Sequence, residues 1–204
     1  MSKRKSQILK IKLAHPALLL LRQFHKQVSA AQQQRHTAAT VQSWISTVKS
    51  LSLSMDYPGI DVDARMAFRG DALEILTEYL MKVLPAGDKA GLLDYRTVPL
   101  RDDYGVDAVG TKNGVTVVVQ CKYRSNRTDL VPYADLARTF TQGVLSCGMD
   151  PKARKNLWLV TTADDANHIS KKVLGNNLHV LAYGFLSKHL DGNADFWAGL
   201  DASI

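Results

Sequence analysis

The feature that most constrains this chain is the dipeptide Asn113-Gly114. It sits between two strand-forming runs, Tyr104 to Thr111 and Val115 to Cys121. Asn-Gly tolerates the positive φ angles that a two-residue hairpin turn requires, so the runs are predicted to be antiparallel neighbours. The second run opens Val115-Thr116-Val117-Val118-Val119, β-branched throughout. Such a strand is expected where both faces of a sheet are covered. The hairpin therefore needs packing layers on its two sides.

The flanking sequence offers them. Residues 66–84 place Leu73, Leu76, Leu80 and Val83 on one helical stripe, and Pro85-Ala86-Gly87 ends the helix. Further strands are predicted at 94–99, 156–162 and 178–183, and helices at 133–145 and 165–174, with short helices to the end. The order α-β-β-β-α-β-α-β is that of an α/β protein, a mixed sheet with helices on both sides.

Ahead of this body lies a stretch of different character. Residues 1–50 contain nine basic side chains (Lys3, Arg4, Lys5, Lys10, Lys12, Arg22, Lys26, Arg35, Lys49) and no acidic one. The remaining 17 basic and 19 acidic residues lie beyond, so the net charge of +7 belongs to the N-terminal quarter. Pro16 suits a helix start, and Leu19, Leu20, Phe24, Gln27 and Val28 follow at near-helical spacing. Thr37 or Thr40 caps a second predicted helix with Val41, Trp44, Ile45, Val48 and Leu51. The turn cluster Asp56-Tyr57-Pro58-Gly59 marks the expected boundary, giving a basic helical arm over 1–60 and a body over 61–204. Three readings of the arm stay open: a nucleic-acid-binding arm, a targeting segment, or a solvated face docked on the body.

Composition removes other classes. The longest strongly apolar run, Ala17 to Leu21, is far short of a membrane span, so no membrane partner is expected. Two cysteines, Cys121 and Cys147, make neither a disulfide scaffold nor a cysteine-rich zinc site. An intracellular protein is expected, cytoplasmic or nucleoid-associated, with nucleus or organelle left open. No phosphate-binding loop, nucleophile elbow or dinucleotide fingerprint occurs, and the six histidines are scattered.

One constellation carries chemistry. Asp107 lies on the first hairpin strand, and Gln120 and Lys122 lie at the end of the second. Residues two apart on a strand share a face, and hairpin pairing brings Asp107 beside them. A carboxylate buried among Val and Ala needs a partner or a metal. Mg²⁺ takes hard oxygen ligands, which Asp107, the Gln120 side chain and the Cys121 backbone carbonyl can supply. Lys122 is placed to serve an attacking water and offset transition-state charge. Glu74 on the first body helix is the candidate second carboxylate, with Glu78 as its rival. Cys121, between two site residues, points to the other face and reads as a small buried hydrophobe. Cys147 has no readable role.

The pattern Gly70-Asp71-x-x-Glu74, then Asp102-Asp103-Tyr104-Gly105-Val106-Asp107, then Gln120-Cys121-Lys122-Tyr123 resembles the PD-(D/E)XK nuclease superfamily. It is similar in particular to the restriction-endonuclease-like, Mrr-type branch, which carries Gln-x-Lys in place of Glu-x-Lys. The resemblance covers about residues 66–183, including Tyr133-Ala134-Asp135-Leu136 and the strand ending in Thr161-Thr162. Val106 stands where the family's nominal proline would be, and Gln120 removes one negative charge from the metal site.

The resemblance implies a three-layer α/β/α restriction-endonuclease-like core and a Mg²⁺-dependent DNA endonuclease, with Mn²⁺ an acceptable substitute. Asp107, Gln120, Lys122 and Glu74 would be catalytic, and Arg124, Arg127 and Arg138 would contact phosphates. It also implies DNA as partner, and either a homodimer or an association with a helicase, a translocase or another subunit, as in restriction or defence systems. A structure-selective, junction-resolvase-like nuclease and a non-catalytic DNA-binding module that keeps the fold are the alternatives.

Overall fold

The computed structural model describes residues 9–19, 21–23, 26, 38–53, 62–84, 91–98 and 105–204. The expected features at Leu20, Phe24, Gln27, Val28, Thr37, Asp56 to Gly59, Pro85 to Gly87 and Asp102 to Tyr104 fall outside them. The elements in chain order are α1 (Val41–Leu53), α2 (Val62–Val83), β1 (Leu93–Thr97), β2 (Ala108–Lys112), β3 (Val115–Lys122) and α3 (Tyr133–Ser146). They continue with β4 (Leu157–Thr161), α4 (His168–Leu174), a 3-10 turn (Gly175–Asn177), β5 (Leu178–Leu181), α5 (Tyr183–Leu190) and α6 (Ala194–Ser203). Among the described residues no helix is long and apolar enough to cross a membrane. The chain divides into two compact units, residues 73–185 and residues 1–72 with 186–204.

The larger unit is an α/β structure built on one open sheet of five strands in the order β1-β2-β3-β4-β5. The first two pairings are antiparallel and the last two parallel, so the sheet is mixed. Asn113 and Gly114 have φ of 50° and 77°, the left-handed geometry that a tight hairpin demands and that Asn-Gly supplies cheaply. The turn sets the register: Lys112 pairs with Val115, Val109 with Val118 and Ala108 with Val119.

Strand alternation then sorts the side chains. Val118, Gln120 and Lys122 share one face of β3, and Val117, Val119 and Cys121 the other. On the first face lies α3, whose Gly143 approaches so closely that a Cβ there would sit 3.0 Å from a Val118 methyl. Val118, Leu136, Met149, Leu157 and Leu159 form the core of this layer. Each such fully buried side chain contributes about 1.5–3 kcal/mol. On the second face lies the part of α2 in this unit, where Thr77 Oγ1 accepts a hydrogen bond from the Cys121 thiol at 3.4 Å. The sequence predicts one apolar stripe on α2, yet every residue from Ile75 to Met81 is buried, Thr77 and Glu78 included.

The other unit joins α1 to α6. Thr40 caps α1, its hydroxyl accepting from Ser43 N at 3.0 Å. Asp191 accepts from Val41 N at 2.7 Å. Trp44, Val48 and Leu51 line one apolar cavity with Trp197, Leu200 and Ile204. Arg22 donates from its guanidinium to the carbonyls of Ser203 and Ile204 at the end of α6, where a cation satisfies orphan carbonyls.

Candidate functional site

The hairpin register places Asp107, just before β2, opposite Gln120. Asp107 N donates to Val119 O at 3.0 Å, extending the ladder by one step. Asp107 and Gln120 are both buried. Gln120 Nε2 donates to Asp107 Oδ2 at 2.7 Å and to its neighbour's carbonyl, Cys121 O, at 3.3 Å. Cys121 N donates to the same Asp107 Oδ2 at 2.5 Å. The carboxylate is thus held by two N–H donors, as a buried charge requires.

Lys122 is the next residue on the Gln120 face, about 7 Å further along the strand. It is half-buried, and its ammonium makes no hydrogen bond or ion pair among the described residues. Its backbone is fixed, since Thr161 Oγ1 donates to Lys122 O at 2.6 Å. One step on, Arg124 N donates to Thr162 Oγ1 at 2.7 Å. Thr161 and Thr162 therefore anchor the end of β3 to β4.

The opposite face of β3 reports where the helix carboxylates lie. Burial pushes the Cys121 thiol well above its ordinary range, and the charges of Asp107 and Glu74 push it further, against the Thr77 hydrogen bond and Lys122. Tyr95 on β1 is raised in the same way, first by burial, then by Cys121, Glu78, Asp107 and Glu74. Glu74, Asp107 and Lys122 thus act on one buried thiol and belong to one electrostatic neighbourhood. Glu78 is fully buried and bound to Lys82 at 2.5 Å, whereas Glu74 is only partly buried.

The three arginines differ. Arg124 is tied to Asp135 at 2.6 Å, with Asp129 at 3.7 Å. Arg127 donates twice to Asp164 Oδ1, at 2.9 and 2.6 Å, and lies 3.7 Å from the centre of the Tyr183 ring. Arg138 on α3 is exposed and without such a partner among the described residues. Its aliphatic stem lies against Gly105, two residues before Asp107, where a Cβ would meet Arg138 Cδ at 3.1 Å. Gly105 has φ of 93°, a left-handed conformation that favours glycine there.

Thr139 is the residue the sequence did not single out. It is fully buried, and its Oγ1 lies 2.5 Å from both Gln120 Oε1 and Gly105 O. Leu136, Thr139 and Gly143 are the buried positions of α3, so Thr139 is a polar residue on an otherwise apolar helix face. That misplaced polarity is the signal from which it could have been read.

The oxygens gathered here fit a hard divalent cation. Asp107 Oδ2 and Cys121 O are both bonded by the one amide nitrogen of Gln120, and that side chain carries a further oxygen. These donors are all oxygens, a set that suits Mg²⁺ or Mn²⁺ rather than zinc. Compared with known proteins, the chain matches no family model, no curated protein and no solved structure.

Proposed function

We propose that the chain is a metal-dependent DNA endonuclease with a restriction-endonuclease-like core, of the Mrr-type branch of the PD-(D/E)XK superfamily. The observation that carries this reading is Asp107 bonded to Gln120 across the hairpin, with Lys122, unpaired among the described residues, next on the same face. Asp107, Cys121 O, Gln120 and Glu74 would hold Mg²⁺ or Mn²⁺. The bound cation would polarise the phosphate and lower the pKa of its water. Lys122 would orient the attacking water and offset charge on the transition state. Arg138 would contact a phosphate, because Arg124 and Arg127 would first have to leave Asp135 and Asp164. DNA is the proposed partner, and two such centres, from a homodimer or an associated translocase, would be needed to cut both strands.

The test is cleavage of supercoiled plasmid by the wild type and Asp107→Ala, with Mg²⁺, Mn²⁺ or EDTA. Nicking with either metal, lost in EDTA and in the variant, is the expected result. Retarded but intact plasmid under every condition would replace the enzyme with a DNA-binding module that keeps the fold.

A further inference from the structure

The Thr139 hydroxyl touches two acceptors at 2.5 Å, Gly105 O and Gln120 Oε1. A hydroxyl carries one proton, so it can donate to only one of them. As the amide stands, one of these two short oxygen contacts has no hydrogen from Thr139.

Turning the Gln120 amide over about its last side-chain bond removes that conflict. Nε2 would then donate to Thr139 Oγ1, and the Thr139 proton would go to Gly105 O. The two orientations have nearly the same shape and differ in which atom faces Asp107. In the present one, the two hydrogens of Nε2 meet Asp107 Oδ2 at 2.7 Å and Cys121 O at 3.3 Å. In the other, Oε1 takes that position, and three oxygens face one another with no proton between them. That arrangement is repulsive alone and attractive around a cation. Octahedral Mg²⁺ with oxygens at about 2.1 Å separates neighbouring ligands by about 3 Å. The distances of 2.7 and 3.3 Å already bracket that spacing.

We propose that Thr139 is a positioning residue whose hydroxyl serves Gln120 as donor or as acceptor. Gln120 can therefore alternate between holding Asp107 in the metal-free protein and turning its oxygen to a divalent cation. The inference rests on the metal-dependent reading of this same site. Thr139 touches neither cation nor phosphate and acts through Gln120. It is fully buried and Gln120 nearly so, so water cannot stand in for the hydroxyl. Valine has the same shape but leaves the amide without its partner in both orientations. Serine keeps the partner.

The experiment uses the ¹⁵N-labelled full chain and MgCl₂ alone, without DNA. It reads the Gln120 side-chain NH₂ resonances, identified by their loss in Gln120→Leu, and the Mg²⁺ dissociation constant by calorimetry. In the wild type and in Thr139→Ser, Mg²⁺ should move the Gln120 pair and bind with similar affinity. In Thr139→Val the dissociation constant should rise about tenfold, because a buried polar group is left unpaired. Wild-type Gln120 resonances that stay fixed as Mg²⁺ saturates would overturn the proposal even if Thr139→Val failed to fold. So would equal affinity in a folded Thr139→Val, or no Mg²⁺ binding by the wild type. A moving Gln120 pair without plasmid nicking would leave this proposal standing and remove the nuclease reading.

Discussion

The Cys121 thiol donates to Thr77 Oγ1 across 3.4 Å, from the face of β3 opposite Gln120 and Lys122. One strand thus separates the buried thiol from Lys122, while Glu74 acts on it from α2 on its own side. Its raised pKa leaves almost no thiolate at neutral pH, and the thiolate is the nucleophile. Cys121 should therefore resist a disulfide reagent such as DTNB in the native protein. Cys147, only partly buried, should react first, and full reaction of both should need denaturant. Rapid reaction of both thiols in the native protein would contradict the burial.

Alkaline stability follows from the same groups. Cys121 and Tyr95 both have pKa values raised in the folded state, so the folded state binds more protons at high pH. Their contribution is fully present below the unfolded thiol and phenol values, about 8.5 and 10, and falls as pH rises beyond them. Denaturant midpoints should hold steady through neutrality and drop above about pH 9. Cys121→Ala should start its decline later, nearer the phenol range.

Lys122 makes no ion pair among the described residues, so its removal leaves no buried charge unpaired. Lys122→Ala should change stability by no more than about 0.5 kcal/mol and leave DNA affinity nearly intact. Plasmid nicking should fall by orders of magnitude if Lys122 acts on the transition state. Wild-type cleavage rates in the variant would remove that role.

Arg138 and Arg127 should separate in DNA binding. Arg138→Gln should lower affinity and flatten the slope of log affinity against log salt by about 0.9, the loss of one phosphate contact. Arg127→Gln should lose the contacts to Asp164 and Tyr183 and leave that slope unchanged. Equal slopes for both variants and the wild type would remove Arg138 as a phosphate contact.

Gly143→Ala tests the approach of α3 to the sheet. The new methyl would lie 3.0 and 3.1 Å from the two Val118 methyls and 3.2 Å from Met149. The gain in helix propensity, about 1 kcal/mol, is smaller than the usual overpacking cost of about 1–3 kcal/mol. A net loss of stability is expected in urea unfolding, and a stabilised protein would show that the two layers can part at low cost.

The hairpin and its register were legible because local chemistry decides them. Asn113-Gly114 selects the turn, the turn sets the ladder, and the ladder puts Asp107 opposite Gln120. Helix and strand order in residues 66–183 was legible from periodicity for the same reason. Edges were less so: β2 begins at Ala108, and α4 begins at His168 because Asn167 caps it by accepting from Ser170 N. The polarity of Thr139 on an apolar helix face was a legible signal, but its partners Gln120 and Gly105, 19 and 34 residues away, were not. Nor was the burial of α2 on all sides between Ile75 and Met81, which a stripe of four residues understates. The apolar face of α1 predicted a cover without naming it, and α6 shares that cavity.

That last pairing has a consequence for the order in which the protein assembles. The strands lie side by side in the order they are synthesised, so each pairs with its predecessor in sequence, through the tight turn at β2–β3 and helix-containing crossovers at β3–β4 and β4–β5. Val41 and Asp191, by contrast, are bonded across 150 residues. Trp44, Val48 and Leu51 must stay without Trp197 and Leu200 until the whole sheet has been made. For that interval the nascent chain carries an uncovered apolar helix face, the kind of surface on which a chaperone acts.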